Sequence, residues 1–430
     1  MIRLKKIISV LFLTLSVFIS QAFAEAGVLG QHKGYTLEKV VILSRHNIRS
    51  PLSSKDSLLG KVTKNEWFEW TSKPGELSTK GAELETLMGL YFKKYLESEG
   101  FMEENYVPKN GEFLFYANSM QRTVATAKYF SSGMLPVANV KVEYHLPLGN
   151  MDHPFMPGIN FVSEKYKKQV LDEIDRIGGF KGLEKEYAEN LAVLRKVIDY
   201  ESSALAKKGE DIFNVPTDIL IPSDTGEADL TGTLRAANTV ADALVLQYYE
   251  EDNLTKAAFN HHDVTYEDFE KIGALTDLFL TVVFGTPSLS LNEAHSSLLE
   301  IQAELLNNDR RFTFLCGHDS TIMSTISALQ VKDYALPDAI TKVTPIGVKF
   351  VIEKWKKKGK TYTTAALVYQ SVNQLRNREF LTLNNPPKVY YLDFEGISRN
   401  KDGFFEPGVL ENHIKNRLKA YDDLKAQSAD

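Results

Sequence analysis

The chain contains 430 residues, of which 43% are hydrophobic and 25% charged, so it can bury a large core divided between two lobes. Its formal net charge is -6, which argues against a nucleic-acid-binding protein because such proteins usually carry a basic face. A local basic pocket inside an acidic protein is compatible with these numbers.

The first 24 residues have the pattern of a secretory signal peptide. Three basic residues precede an apolar stretch over residues 7–19, and Ala22 and Ala24 offer small side chains for cleavage before Glu25. A membrane anchor is the alternative, but this stretch is too short to span a bilayer comfortably. No later stretch is long and apolar enough to span. We therefore expect a secreted protein, in a bacterial periplasm, with no membrane partner after signal cleavage.

The mature chain begins with a pattern in which strands alternate with helices. We predict strands over residues 37–43, 113–116 and 140–144, and helices from Ser78 or Thr79 to about residue 97 and over residues 124–130. Such alternation indicates an α/β domain with a largely parallel sheet.

The pattern changes between residues 156 and 289, where Lys and Glu are dense and helical spacing dominates. Ser163 is a predicted helix N-cap, and further helices are predicted over residues 232–249 and 267–283. We predict that this segment is an α-helical cap domain. Residues 25–155 and 290–430 then form the α/β catalytic domain.

The α/β pattern returns after residue 290. The sequence predicts helices over residues 292–306 and 320–329, a strand over residues 311–316, and a hairpin that pairs residues 348–355 with residues 362–369.

Ionisable side chains follow three of the predicted strands. They are Arg45, His46 and Arg49 after the first strand, Arg122 after the second, and His318 and Asp319 after the strand that ends near residue 316. Because ligands of open α/β sheets bind beyond the carboxyl ends of the strands, these groups are expected to face one pocket. Guanidinium groups match phosphoryl oxygens, and an imidazole supplies a nucleophile.

Three arginines in one pocket also affect the protonation state of His46. Two like charges ~4 Å apart repel by roughly 4 kcal/mol at an effective dielectric constant of about 20, and a bound phosphate dianion relieves that repulsion. The same positive field is expected to lower the pKa of His46, which keeps a lone pair available for attack on phosphorus.

Asp319 is a candidate general acid, because the leaving alcohol must receive a proton. Nearby arginines would lower the pKa of its carboxyl, whereas burial and an incoming phosphate would raise it. An acid that must start protonated suggests activity biased to acid pH. The alternative is that Asp319 caps the helix that starts near Ser320, and both roles are compatible.

Other candidate groups give weaker evidence of function. Cys316, the one cysteine of the chain, lies in an apolar run and is predicted to be a buried structural thiol. His261, His262 and Asp263 suggest a metal, but no third ligand follows at a usual spacing, so no metal or other cofactor is expected.

Arg45-His46-X-X-Arg49-X-Pro51 with the later pair His318-Asp319 resembles the histidine acid phosphatase family. Asn47, where the family usually has Gly, is similar to the periplasmic glucose-1-phosphatase branch rather than to the typical phytase branch. Further stretches resemble the same branch, at residues 116–127, 246–250, 344–347 and 368–371.

This resemblance implies a phosphoglycerate-mutase-like α/β sheet domain with a smaller inserted α-helical domain, and the substrate between them. It implies a phosphohistidine on His46 and protonation of the leaving oxygen by Asp319, without a metal. Its implied phosphoryl-binding residues are Arg45, Arg49, Arg122 and His318.

Glu227 resembles a glutamate that contacts the sugar in that branch, with a solvent-exposed loop residue as the alternative. Thr321 departs from the asparagine usual at its position, and the several cysteines usual in the branch are missing. The first departure bears on substrate preference and the second on stability.

The expected function is a secreted acid phosphomonoesterase that acts on a small phosphate monoester, with glucose 1-phosphate the leading substrate. Three alternatives stay open at this point. They are a phytase, a phosphomutase and a non-catalytic protein that binds a phosphorylated ligand. Intact His46 and Asp319 argue against the last, since binding alone needs neither.

Overall fold

The computed structural model describes residues 28–30, 32–53, 57–223 and 226–429. The predicted signal peptide, residues 1–24, lies outside these residues. Within them, no single helix has the length and apolar character to cross a membrane, although the bent pair Tyr266–Gly285 and Pro287–Glu293 meets that test by length and composition.

The strands of the described residues form one large sheet and one small ribbon. They are β1 (Thr36–Arg45), β2 (Phe113–Ala117), β3 (Ile219–Leu220), β4 (Asp229–Leu230), β5 (Phe312–Gly317), β6 (Lys349–Lys357), β7 (Lys360–Tyr369) and β8 (Lys388–Tyr391). The large sheet has the order β2-β5-β1-β6-β7-β8, and β3 pairs only with β4.

The prediction of a largely parallel sheet is wrong for half of it. Strands β2, β5 and β1 run parallel, whereas the pairs β1–β6, β6–β7 and β7–β8 are antiparallel. The predicted hairpin is confirmed as β6–β7. Its turn residues Lys358 and Gly359 both have positive φ, as a type I′ hairpin turn requires.

The predicted strand over residues 140–144 is also wrong. Only one isolated bridge forms there, between Glu143 and Tyr116 of β2. Of this segment only Val142 is buried, so the segment has no continuous apolar face to hold it in register along the sheet.

Thirteen α-helices are assigned within the described residues. They are α1 (Thr79–Ser98), α2 (Gln121–Met134), α3 (Glu164–Arg176), α4 (Gly179–Glu186), α5 (Ala188–Val197), α6 (Gly232–Glu250), α7 (Leu254–Ala257), α8 (Tyr266–Gly285), α9 (Pro287–Glu293), α10 (His295–Leu306), α11 (Asp319–Ala328), α12 (Val372–Asn377) and α13 (Val409–Gln427).

The helix starts follow from local capping. Ser78 and Ser163 are the N-caps of α1 and α3, and their side chains accept hydrogen bonds from Gly81 N and Tyr166 N, so both predicted caps are confirmed. The helix predicted over residues 292–306 is instead two helices that meet at Ala294. The first begins at Pro287, a residue suited to the first turn of a helix.

The sheet divides the apolar core into two layers. Alternate residues of β1 point to opposite faces, so Val41 and Leu43 pack with the cluster that contains α9, α10 and α11. Val40 and Ile42 pack on the other face, against α1 and α2. A third cluster joins α5, α6 and α8. The carboxyl ends of β1, β2 and β5 stay open toward α6 and α8.

Candidate active site

Three parallel strands end at the same edge of the sheet. Arg45 at the end of β1 is in register with Gly317 of β5, and Ala117 of β2 is in register with Cys316. The next residue after each strand is therefore His46, His318 or Asn118, and Arg122 follows in the first turn of α2. This confirms the expectation that the strand-end residues come together.

The groups face a cleft of about 350 Å³ between this edge and helices α6 and α8. His46, Arg49, Arg122, Glu227, His318 and Asp319 all line it. The rings of His46 and His318 lie 5.5 Å apart, centroid to centroid. Arg45 lies behind the cleft wall, where its Nη2 is 2.9 Å from Asp319 Oδ2 and its Nη1 donates to the carbonyl of Thr344.

His46 is held as a neutral imidazole. Its Nδ1 lies 2.8 Å from the carbonyl oxygen of Asn47, and because a carbonyl only accepts, Nδ1 carries the proton and Nε2 keeps the lone pair. The side chain is 3% exposed. Burial lowers the pKa of His46 well below its usual value, and the charges of Arg122 and Arg49 lower it further.

The loop that carries His46 rests on a buried polar network. Asn47 Nδ2 donates to Glu85 Oε2 at 2.9 Å, and Glu85 Oε1 lies 2.7 Å from Lys349 Nζ, with both side chains fully buried. Helix α1 approaches closely at Gly81, where a Cβ would lie 2.3 Å from the carbonyl oxygen of Ile48. Side chain and backbone contacts therefore fix the same loop.

We expect Lys349→Met to lower the free energy of unfolding by about 3–5 kcal/mol, because it leaves the Glu85 carboxylate buried without its counter-ion. Lys356→Met is the matched control, since it removes an exposed pair with Glu38 and should cost less than about 1 kcal/mol. Urea denaturation of both variants measures the difference, and equal losses would contradict the prediction.

Arg49 and Arg122 present guanidinium groups to the cleft. Arg49 Nη2 lies 3.2 Å from Asp242 Oδ2 of α6, and Arg122 Nη2 lies 3.4 Å from His318 Nδ1. Burial lowers the pKa of Arg122 to about 10, with the charge of Arg49 the next cause, so the group stays cationic at neutral pH. Asp242 was not predicted from the sequence.

Asp319 is ionised in the free protein. Burial raises the pKa of its carboxyl, but the positive charges of Arg45 and Arg49 outweigh that effect and bring the pKa below its usual value. Asp319 is the first residue of α11 and not its cap, because His318 occupies the N-cap position. In the free protein the arginines therefore outweigh burial, and the helix-cap alternative is wrong.

Thr321 links the backbone of His318 to that of Phe155. Its hydroxyl donates to the carbonyl of Phe155 at 2.6 Å and accepts from the backbone N–H of His318 at 3.2 Å. Thr321 is not among the described residues that line the cleft. The substitution at this position therefore acts on the placement of His318 rather than by direct contact with a ligand in the cleft.

The side of the cleft formed by α6, α8 and the β3–β4 ribbon has different chemistry. Glu227 is exposed at the mouth, and Asp229 lies 3.0 Å from Arg235. The cleft atoms around Glu227 partly desolvate its carboxyl and raise its pKa to about 7, and the charges of Asp319 and Asp229 act in the same direction. The other described lining residues on α6 and α8 are uncharged apart from Asp242: Asn238, Thr239, Thr276, Phe279, Leu280 and Phe284.

Two further candidates lie elsewhere. His261 Nε2 is 3.3 Å from Asp199 Oδ2, and within the described ranges no group of three or more His, Cys, Asp or Glu is arranged to hold a metal ion. Cys316 is fully buried in β5, as predicted.

Comparisons with known proteins agree with this geometry. The profile of the histidine phosphatase superfamily (branch 2) matches residues 36–180. The chain is 32% identical to the glucose-1-phosphatase of Providencia rettgeri over 86% of this chain and 88% of that protein. It is 32% identical to the glucose-1-phosphatase of Salmonella typhimurium over 90% and 94%. The apo phytase of Hafnia alvei shares the fold, with a TM-score of 0.82 at 24% identity over 90% of this chain and 98% of that chain.

Proposed function

The chain belongs to the histidine phosphatase superfamily (branch 2) and is a phosphomonoester hydrolase, and we propose that it hydrolyses sugar phosphates such as glucose 1-phosphate through a phosphohistidine on His46. The observation that carries the proposal is the neutral, buried His46 within a cleft that also presents Arg49, Arg122 and His318. Binding alone would not need a histidine whose lone pair is directed away from its backbone partner.

In the proposed first step, His46 Nε2 attacks phosphorus and the bond between phosphorus and the sugar oxygen breaks. Arg49, Arg122 and His318 donate hydrogen bonds to the non-bridging oxygens, which gain charge in the transition state. The leaving oxygen takes a proton from the carboxyl of Asp319. In the second step, water attacks phosphorus, gives its proton to the Asp319 carboxylate, and breaks the P–N bond to release phosphate.

Arg45 has a different proposed role from the other arginines. Its guanidinium lies beside Asp319, with 2.9 Å between Nη2 and Oδ2, and it does not line the cleft among the described residues. It therefore orients the carboxyl and adds positive potential to the phosphoryl site. The negative charge of a bound phosphate ester opposes that potential and raises the pKa of Asp319, which favours the protonated acid in the complex.

The composition of the cleft favours a singly phosphorylated sugar over an inositol polyphosphate. The described lining residues include no lysine, and Arg235 on the cap side is already paired with Asp229. Asp242 and, above its pKa of about 7, Glu227 add negative charge that repels additional phosphates, and both carboxyl groups accept hydrogen bonds from sugar hydroxyls. The similarity to two proteins named glucose-1-phosphatase supports the same substrate. A phytase remains the second candidate, since the phytase of Hafnia alvei shares the fold.

Localisation and domain division belong to the proposal. We infer that residues 1–24 are removed on export to the periplasm, and that residues 156–289 form the cap domain between the two halves of the catalytic domain. The helices α3 to α8 and the ribbon β3–β4 fall inside that segment, which supports the division.

A substrate panel tests the proposal. We expect kcat/KM for glucose 1-phosphate to exceed that for phytate by about tenfold or more, because one extra repelled charge in a desolvated cleft costs at least about 1.4 kcal/mol. Activity should be higher at pH 5 than at pH 8 and insensitive to chelator. A preference for phytate would support the second candidate instead, and loss of activity with chelator would contradict the metal-independent mechanism.

A further inference from the structure

We propose that Asn118 is a positioning residue that holds His318 as the neutral tautomer with its proton on Nδ1. This arrangement directs an N–H of His318 into the cleft, where it donates to a phosphoryl oxygen. The catalytic meaning rests on the function proposed above, whereas the tautomer itself can be measured without turnover.

The orientation of the Asn118 amide is fixed by its neighbours. Its Oδ1 accepts the backbone N–H of Asp152 at 2.7 Å, and since an N–H only donates, this atom is the oxygen of the amide. The other end is Nδ2, which lies 2.9 Å from the sulfur of Met151 and 2.7 Å from His318 Nε2. Both of these atoms are able to accept a hydrogen bond.

The state of His318 follows from that contact. Because Asn118 Nδ2 donates, His318 Nε2 is the acceptor and the proton of the neutral ring is on Nδ1. Nδ1 lies 3.4 Å from Arg122 Nη2, which also only donates. Two donors cannot satisfy each other, so both need a shared acceptor, and an oxygen of a phosphoryl group in the cleft meets that need.

Asn118 itself has little freedom to move. It is fully buried at the end of β2, its backbone N–H donates to Cys316 O at 2.9 Å, and its carbonyl accepts from the Thr123 hydroxyl. Asp152 is fixed in turn, because its carboxylate accepts from Tyr116 OH at 2.6 Å and from His153 N at 2.8 Å. The amide therefore stays in place when the cleft fills.

The charges around His318 also favour the neutral ring. Burial lowers its pKa well below the usual value, and the charge of Arg122 is the next cause. The charged and titratable groups that act on it come from three elements: Arg45, His46 and Arg49 from β1 and its loop, Arg122 from α2, and Asp319 from α11. Among these groups only Asp319 raises the pKa of His318. The Asn118 amide also lowers the pKa of His318, because its N–H occupies the Nε2 lone pair that a second proton would need.

Nitrogen-15 NMR of histidine-labelled enzyme reads the tautomer directly. We expect His318 of the full-length wild type to remain neutral with its proton on Nδ1 between pH 5 and 8. Asn118→Asp keeps an acceptor for the Asp152 N–H but places a carboxylate oxygen at Nε2. The proton should then move to Nε2, and the pKa of His318 should rise above its wild-type value.

The same variant makes a kinetic prediction with a definite sign. Once Nε2 carries a proton, Nδ1 donates only in the imidazolium, so activity is present below the new pKa and lost above it. We expect kcat/KM of Asn118→Asp to fall by about tenfold or more between pH 6 and 8, relative to the wild-type profile. Asn118→Leu removes the donor without adding charge, and should lower kcat/KM by about tenfold with no new pH-dependent loss.

Asn308→Asp is the matched control, because Asn308 is exposed and lies apart from the cleft. It adds the same charge and should leave both the NMR signals of His318 and the shape of the pH profile as in the wild type. A wild-type His318 with its proton on Nε2, or parallel profiles for Asn118→Asp and wild type, would overturn the proposal. Wild-type enzyme without phosphatase activity would overturn the proposed function alone, because the NMR result stands without turnover.

Discussion

Replacing His46 with alanine is expected to lower kcat by about 10^4-fold or more, because the variant has no atom that can form the covalent bond to phosphorus. Of the two imidazoles that line the described part of the cleft, only His46 has a nitrogen lone pair without a hydrogen-bond donor, because the Nε2 lone pair of His318 accepts from Asn118. The fold should survive, since the loop is held by Asn47 and Glu85 rather than by the imidazole.

Rapid quench separates chemistry from binding. Wild-type enzyme mixed with excess 4-nitrophenyl phosphate should give a burst of acid-labile phosphoenzyme, and His46→Ala should give none. His262→Ala is the matched control, since His262 is exposed and does not line the cleft. A phosphoenzyme burst in His46→Ala would place the nucleophile elsewhere.

Asp319→Ala is expected to discriminate between leaving groups. On glucose 1-phosphate, whose leaving oxygen needs a proton, we expect kcat to fall by about 10^2- to 10^4-fold. On 4-nitrophenyl phosphate, whose leaving group is far more acidic, the loss should be smaller by about tenfold or more. Equal losses on both substrates would count against Asp319 as the acid.

The pH dependence of kcat/KM gives an independent test of Asp319 as the acid. The arginines keep the pKa of Asp319 below its usual value in the free protein, so the protonated acid becomes scarcer as pH rises. Wild-type kcat/KM on glucose 1-phosphate should therefore decline from acid to neutral pH. Asp319→Ala has no such group, and its profile should be flatter over the same range. A steeper decline in the variant would contradict this assignment.

The sequence predicted the part of the site that depends on short-range patterns. His46 and His318 each follow a buried strand, and the carboxyl ends of parallel strands meet at one edge, so their proximity could be deduced before the structure. The β6–β7 hairpin was predicted, but the antiparallel pairing of β6 with β1 was missed because it joins segments far apart in the chain. No local pattern reports such a pairing.

The supporting residues were missed for a related reason. Asn118 lies within a stretch that resembled the family, yet its contact with His318 depends on the register of β2 against β5. Glu85 and Asp242 look like ordinary charged positions of amphipathic helices, and only the packing of α1 and α6 brings them to Asn47 and Arg49. The state of Asp319 was open because it is a difference between opposing effects whose sizes depend on distance.

The position of β1 in the sheet constrains the order in which the enzyme folds. This early strand lies between β5 and β6, which are both late in the chain. Synthesis of the amino-terminal half therefore leaves the strand without either neighbour, and pairing must wait for chain segments that emerge last, which makes for slow maturation. The catalytic edge that β1 shares with β5 therefore cannot form until residues 312–317 have been synthesised.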